Sequence, residues 1–568
     1  MSGVQHDEIS VLRAAVADRE AMVRSLREVI ASLEGRMAAL ESALVNHANE
    51  NEVLKRRLFG PRTERSGTSE LQLSLGDLLK QQEELQRKLD EAVRKSREGD
   101  PAAAPSGGDD NTTTPKDKPA RPTPKGRRNL AESTLPRVRV DLRDGNIEAS
   151  GGRLIGWETS HELMRQQAAW KVLEKRTAKY ELELAGQKTV LGVEAPPKLL
   201  RRSMLHTSTI AWLLVQKFAL GVPHHRLEQH LAAQGECLDR GTMCRNAEEA
   251  GNALGATIVH AMYRDAIDNC SVLSTDATGA AIQPGPRKDG LKQSCKNGHF
   301  FTVVADCAHV LFRYVARHTS EAVAKLFRGY RGYLQSDASS VYNILERGPP
   351  SDAELGVVLV GCWAHCRRYF FEAAICKYEV GVQGLMRIRA IYAADNALAD
   401  LPPIDRKRER LARVLPLVED FFAWVASMEA ITPGRTLAAR ALGYAKNQEQ
   451  ELRRVFLDGR LPLDNTRSER ALRKVVVGRK NWMFYGSDVH AEAAASIFSL
   501  VASCRLHRLD PELYLDEVMR VLPYWPRERY IDLAPNRWRA TRAGLDPKEL
   551  ELPIGPITVP AVPAATAA

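Results

Sequence analysis

The sequence predicts a multidomain chain. It begins with an N-terminal parallel coiled coil and a helix-turn-helix, followed by an α/β RNase H-like core interrupted by an α-helical insertion. Three observations carry this reading. Apolar residues repeat every seven through the first 60 positions. From Asn269, β-rich runs follow in the order of three meandering strands, helix, strand, helix, strand. A long helical stretch then separates those runs from a basic segment, 461–482, with a carboxylate near its centre.

Composition bounds the classes. At 568 residues the chain holds several domains, and 44% hydrophobic residues suffice for real cores. A net charge of +10 and a pI near 9.1 favour a polyanionic partner, because Lys and Arg displace counterions from nucleic acid. The N-terminus is acidic-polar without an apolar signal region, and no apolar run approaches the roughly 20 residues of a membrane span. The expected setting is therefore cytoplasmic, nucleoid-associated when on DNA, with no membrane partner. All nine cysteines follow Gln234. Their odd number suits reduced thiols better than a disulfide framework.

In chain order, residues 1–60 read as a leucine zipper. Its d positions are Leu12, Arg19, Leu26, Leu33, Leu40, His47 and Leu54; its a positions are Val16, Val23, Ile30, Met37, Leu44, Asn51 and Leu58. β-Branched a residues with Leu at d favour a parallel dimer, and Asn51 at a fixes register. A second helical seam occupies 61–96. Residues 97–129, rich in Pro, Gly, Thr and charge, form a disordered basic linker. Residues 130–200 read as a small β-rich region of short strands, and 201–262 as two amphipathic helices around Gln234-Gly235 with helix-turn-helix proportions. The RNase H-like core covers 268–365 and 463–522, the helical insertion 366–462, and a Pro-rich, partly disordered tail 523–568.

Three acids fall where such a core places them. Asp276 lies in the first strand, Asp337 at the end of the fourth, and Glu469 on the helix after the insertion. Carboxylates on neighbouring strands gather oxygen ligands, and two Mg²⁺ ions about 3.5–4 Å apart activate a nucleophile and stabilise the leaving oxygen of a phosphodiester. Mn²⁺ substitutes in such sites. Glu469 also has a structural reading, since Thr466-x-x-Glu469 matches a capping box and Gly478 then ends the helix. Glu372 in CRRYFFEA competes for the third place. Asp306 and Asp352 read as background acids.

Five motifs in order, LFGPRTERS, STDATG, LQSDASSVYN, GCWAHCRRYFFE and DNTRSERALRKVVVGRKNWMFYGS, together resemble the large DDE transposase of the insertion sequence sixty-six family. The resemblance covers most of residues 1–520. It implies cutting of element ends and joining of the freed 3′-OH to target DNA, with Asp276, Asp337 and Glu469 as the catalytic and metal-binding triad. The implied partners are double-stranded DNA (element ends and target), a second copy bound through the coiled coil as a homodimer or higher oligomer, and helper proteins of the same element.

The chain departs from the family pattern twice. Asp276-Ala277-Thr278 stands where the family usually has Asp-Glu-Thr, and the family's Cys-rich zinc finger is absent from 131–200, so no zinc is expected there. Cys362 and His365 form a C-x-x-H string, with Cys366, Cys295 and His299 as further donors; packing of the insertion on the core is the preferred role over zinc. Arg367, Arg368, Arg470, Arg473, Lys474, Arg479 and Lys480 are candidates for phosphate contact. Trp482 either stacks a displaced base or packs in the core. The alternative to an active transposase is a catalytically inert DNA-binding regulator or architectural protein derived from one.

Overall fold

The computed structural model describes residues 130–561 apart from 134–135, 167–168, 185–186, 286–292, 307 and 348–355, together with helical positions scattered between Arg19 and Met37. Most of the expected zipper, the seam at 61–96, the linker at 97–129 and the last residues, 562–568, lie outside the described residues. Three predicted a positions, Val23, Ile30 and Met37, are helical and exposed. The described residues from Leu130 onward, 375–377 apart, belong to one compact unit.

That unit opens with a four-stranded sheet: β1 (Arg137–Leu142), β2 (Arg153–Gln166), β3 (Ala169–Leu184) and β4 (Gln187–Gly192). β3 is central. It pairs antiparallel with all of β2 on one side, and with β1 and then β4 on the other. Val172, Leu173 and Tyr180 of β3 are fully buried. The expected short strands are thus a long hairpin. The second half of β2, SHELMRQ, is rich in the helix formers Glu, Leu, Met, Arg and Gln; cross-strand pairing outweighs that preference. In this cysteine-free region ion pairs surround two buried carboxylates. Glu162 takes Lys198 Nζ at 2.6 Å and Lys175, and Glu174 takes Arg137 Nη1 at 2.7 Å and Arg139 Nε at 3.1 Å.

Four helices follow: α1 (Thr207–Leu214), α2 (His224–Ala233), α3 (Arg240–Leu254) and α4 (His260–Asn269). Asp239 caps α3 by accepting from the Thr242 N–H at 2.9 Å. The α2–α3 connection covers 234–239, longer than the roughly three to four residues of a DNA-binding helix-turn-helix. Moreover, α3 buries Met243, Ala247, Ala250 and Leu254. Its partner is the later helix Asp488–Leu506, approached so closely that a Cβ on Gly251 would lie 2.5 Å from the Ala493 carbonyl oxygen.

The second sheet has five strands: β5 (Val272–Ile282), β6 (Lys296–Ala305), β7 (His309–Val315), β8 (Gly332–Gln335) and β9 (Val357–Val360), in spatial order β7-β6-β5-β8-β9. β5, β6 and β7 meander antiparallel; β8 and β9 run parallel to β5. A short helix, α5 (Ser320–Leu326), bridges the two halves. α6 (Trp363–Ile375) leaves the sheet for the insertion, α7 (Glu379–Asn396), α8 (Pro403–Arg413), α9 (Leu415–Glu429) and α10 (Leu437–Asn447). Trp363, Phe370, Phe421, Phe422 and Trp424 form its own apolar core. Inside it, fully buried Arg410 donates to Asp395 at 2.5 Å, and Arg406 adds a second cation at 2.8 Å.

The chain then returns to the sheet as α11 (Thr466–Trp482), α12 (Asp488–Leu506) and α13 (Pro511–Val521). α12 covers the free edge of β7. The Val310 N–H donates to Ser503 Oγ at 3.0 Å and the Phe312 N–H to Ser499 Oγ at 2.8 Å. Two buried serines thereby occupy hydrogen-bonding positions that would otherwise invite another strand. Within the Pro-rich tail, Trp525, Leu533, Trp538, Leu545 and Ile557 are buried in the main core, while most of PAVPAATAA, where disorder is expected, lies outside the described residues. Pro punctuation there shortens the helices without preventing burial.

Candidate active site

Asp276 sits on β5 opposite Thr302, two strands from the sheet edge. Buried neighbours on both sides of the strand desolvate its carboxyl. Burial raises its pKa, the Ala277 N–H at 2.7 Å on Oδ1 opposes the rise, and the charges of Asp337 and Glu469 add to it; the net result is about 7. The charges of two acids far away in sequence, Asp337 and Glu469, therefore reach Asp276. Asp337 follows β8 by two residues, where the parallel β5–β8 pairing brings the strand end beside Asp276. It also presses on the buried Tyr342 hydroxyl, whose pKa burial and Asp337 raise.

Glu469 is the fourth residue of α11, and its side chain is 44% exposed. The expected capping box does not form. The N-cap is Asn465, without a side-chain cap bond, and Thr466 already belongs to the helix. Asp464 Oδ1 accepts from the Thr466 N–H at 3.0 Å instead, which leaves Glu469 to approach His365 Nε2 at 3.8 Å. Gly478 does not end the helix either. α11 continues to Trp482 and stops at Met483, whose φ is 63°. At Gly478 a Cβ would lie 2.4 Å from the Trp482 ring, so the glycine makes room for that indole.

What places α11 is a set of residues the sequence reading did not single out. Asn465, fully buried, donates through Nδ2 to the Thr275 carbonyl at 2.5 Å, one residue before Asp276. Its backbone N–H meets Cys362 Sγ at 3.2 Å. Gln335, the last residue of β8, donates to the Pro462 carbonyl at 2.8 Å, and Tyr392 of α7 donates to Asp464 at 3.0 Å. The returning loop is thus bound to β5, β8, α6 and the insertion. A short Asp-Asn pair before a helix signals an N-terminus in sequence, but not these distant partners.

The remaining candidates divide. Arg470, Arg473, Lys474 and Lys480 are exposed, spaced to share one face of α11 opposite buried Ser468, Leu472 and Val475. Arg368 is exposed and Arg367 half-buried on α6. Arg479 instead donates to Thr278 Oγ1 at 3.1 Å and to the Gly279 carbonyl, so it clamps α11 to β5 and is not free for phosphate. Trp482 turns inward. It packs edge-on to Phe218 at 6.2 Å and Tyr485 at 6.3 Å, with Lys217 Nζ 5.2 Å from its ring centre, in keeping with the core role.

Glu372 is 9% exposed and lies 3.9 Å from Arg368, while the charges acting on Asp276 are those of Asp337 and Glu469. Asp306 is a turn residue at φ 36° whose carboxylate accepts from the Ser271 and Val272 N–H groups. Cys362 and His365 diverge: the thiol, pushed up to about 12 by burial, backs onto Asn465, and the imidazole faces Glu469. Among the described residues no three carboxylate, imidazole or thiol groups are already gathered at metal-binding distance. No helix among them is long and apolar enough to cross a membrane.

Comparison with known proteins places the chain among transposases. A model of the transposase IS66 family matches residues 202–493, more than half of the chain, and the protein belongs to that family. An IS66 C-terminal element matches 499–536, and a model described as transposase C of IS166 homeodomain matches 49–140. Two relatives from Sinorhizobium fredii (strain NBRC 101917 / NGR234) are similar. The uncharacterized protein y4hP is 24% identical over 409 residues, covering 68% of this chain and 71% of its own. The uncharacterized protein y4qI is 24% identical over 398 residues, covering 69% and 73%. Among solved structures, a Drosophila P element transposase strand transfer complex matches with 13% identity and a TM-score of 0.21, over 50% of this chain and 82% of that one.

Proposed function

We propose that the chain is a DDE-type DNA transposase whose RNase H-like core carries Asp276, Asp337 and Glu469 as its catalytic triad. The observation that supports this is the setting of Asp276 on β5, held near 7 first by burial and then by the charges of Asp337 at the end of β8 and Glu469 on α11. Such a cluster is short of positive charge, and its oxygen donors suit a hard divalent cation. Mg²⁺, with Mn²⁺ as substitute and two ions in all, would be held by these three residues, where it polarises the phosphodiester and assists deprotonation of the attacking hydroxyl.

The protein's own residues do the rest. Asn465 and Arg479 fix α11, which carries Glu469, against β5, which carries Asp276. The exposed Arg470, Arg473, Lys474 and Lys480 hold the phosphates of the strand being cut, with Arg367 and Arg368 from the neighbouring helix. α2 and α3, the latter with Arg240 and Arg245 exposed, contribute to recognition of the element ends. Two copies associate through the N-terminal heptads, for which the exposed Val23, Ile30 and Met37 supply an apolar seam.

The test is a cleavage and strand-transfer assay on double-stranded and pre-nicked element ends. Asp276→Ala and Asp337→Ala should abolish metal-dependent cutting and leave end binding intact. Unchanged cutting in either variant refutes the triad. Wild-type protein that binds a pre-nicked end but never transfers it with Mn²⁺ favours the inert DNA-binding reading.

A further inference from the structure

A second constellation lies away from the acids, where α3, α12 and the turn after α1 meet. Cys244 Sγ on α3 stands 3.0 Å from His490 Nε2 in the first turn of α12. The other ring nitrogen, Nδ1, lies 2.9 Å from Glu248 Oε2, one helical turn after Cys244. A thiol, an imidazole and a carboxylate in line form the orienting chain of an activated nucleophile: the carboxylate sets the tautomer and supports the imidazolium, which pairs with a thiolate. The His490 backbone N–H is held by Ser487 Oγ at 3.0 Å, so the ring's base is fixed.

These groups line a small, partly open pocket whose wall also includes Lys217, Phe218, His224 and Tyr485. Cys244 is partly exposed within it. His224 is only 8% exposed, yet neither ring nitrogen has a hydrogen-bond partner in the described structure. A buried, unpaired imidazole is costly unless something entering the pocket bonds to it. The charged and titratable groups facing Cys244 are Lys217 from the turn after α1, Glu248 on its own helix and His490 from α12; His224 stands across the pocket at the start of α2.

We propose that Cys244 is a modification site, a thiolate paired with His490 that reacts with small electrophiles and hydroperoxides admitted by this pocket. With a hydroperoxide, sulfur attacks one peroxide oxygen, an S–O bond forms and the O–O bond breaks. Sulfur is oxidised by two electrons to the sulfenic acid, and the peroxide is reduced to alkoxide. The alkoxide takes the proton from His490 Nε2 and leaves as alcohol, and the neutral imidazole keeps its Nδ1–H on Glu248. The electrostatics agree with the geometry. Burial opposes the Cys244 thiolate, but His490 and Lys217 outweigh it and hold the thiol below its ordinary range. Conversely the Cys244 contact raises His490. Burial pushes Cys270 and Cys362 up to about 12, which leaves them inert at neutral pH.

The experiment uses the full-length protein, limiting iodoacetamide, and mass spectrometry of each cysteine peptide from pH 5.5 to 8.5. The exposed Cys237 and Cys295 serve as internal references. At pH 6.5 Cys244 should alkylate about tenfold faster than either, with a rate that falls off at lower pH than theirs. His490→Gln should remove that advantage, and Glu248→Gln, isosteric and partly exposed, should reduce it severalfold with an unchanged circular dichroism spectrum. After dilute hydrogen peroxide, a dimedone adduct should map to Cys244. Equal rates at the three cysteines, a pH profile unmoved by both substitutions, or a dimedone adduct confined to Cys237 and Cys295 overturns the proposal. So does co-purified zinc that keeps Cys244 unreactive until chelated.

Discussion

Replacing Asn465 with alanine tests whether the loop before α11 sets the proposed site. Asn465 is fully buried, and its Nδ2 donates to the Thr275 carbonyl at 2.5 Å. Truncation deletes that bond, deprives the carbonyl beside Asp276 of a donor and opens a small void. For one buried polar contact the stability cost is about 1–3 kcal/mol. The rate effect has a different origin. Glu469 follows Asn465 by one helical turn, with its backbone N–H on the Asn465 carbonyl at 3.2 Å, so a shift of the loop moves the carboxylate with it. A displacement of about 1 Å in a catalytic constellation costs on the order of 100-fold in rate, or about 2.7 kcal/mol of barrier. Single-turnover strand transfer on a pre-nicked end, with a Mg²⁺ titration, reads this directly. Asn465→Ala should lose about two orders of magnitude and need more metal, while binding the end normally. Asn465→Asp should be worse, because it aims a fourth carboxylate at a carbonyl oxygen beside the triad. Wild-type turnover by Asn465→Ala, with an unshifted metal dependence, would refute the reasoning.

Three further outcomes follow from the packing. His224 is held near 3 by burial, with the charges of Lys217 and His490 adding to the effect, so the unfolded chain takes up its proton first and stability falls with acid. Between pH 8 and pH 4 this one residue should cost roughly 3 kcal/mol, and His224→Met should flatten that part of a urea-unfolding profile. Asp395→Asn strands Arg410, which is fully buried, and should destabilise the insertion by about 3–5 kcal/mol, measured by hydrogen exchange over α7 and α8. Ser503→Ala removes the partner of the Val310 N–H on the sheet edge and should cost about 1–3 kcal/mol in denaturant unfolding, with faster exchange of that amide.

The proposed site accounts for how its neighbourhood is built. In the proposed triad the charges of Asp337 and Glu469 oppose ionisation of Asp276, so surrounding contacts must fix the elements that carry the three acids. Arg479 on Thr278 and Gly279, Asn465 on Thr275 and Gln335 on Pro462 do so through three separate elements. None of these groups approaches the carboxylates to neutralise them, which leaves that charge for a cation.

Local chemistry made much of the chain legible from sequence alone. Alternating and wholly apolar runs marked β5, β6, β7 and β9, and the helical period marked the insertion, because each depends on neighbours a few residues away. Asp276 and Asp337 stood out as candidates from their places relative to those elements, while the choice of Glu469 over Glu372 leaned on the family resemblance. Tertiary structure decided what local pattern could not. SHELMRQ became a strand because β3 offered it a full ladder, and the Pro-rich tail was buried because the main core accepts Trp525 and Trp538. Thr466 lost its capping role when Asp464 reached its amide first. Trp482 and Arg479 turned from DNA candidates into packing and clamping residues because β5 and Phe218 lie beneath α11. The pairing of Cys244 with His490 spans 246 positions. Periodicity carries no information over that distance; only a folded core, in which α3 and α12 meet at small residues, brings the two side chains together.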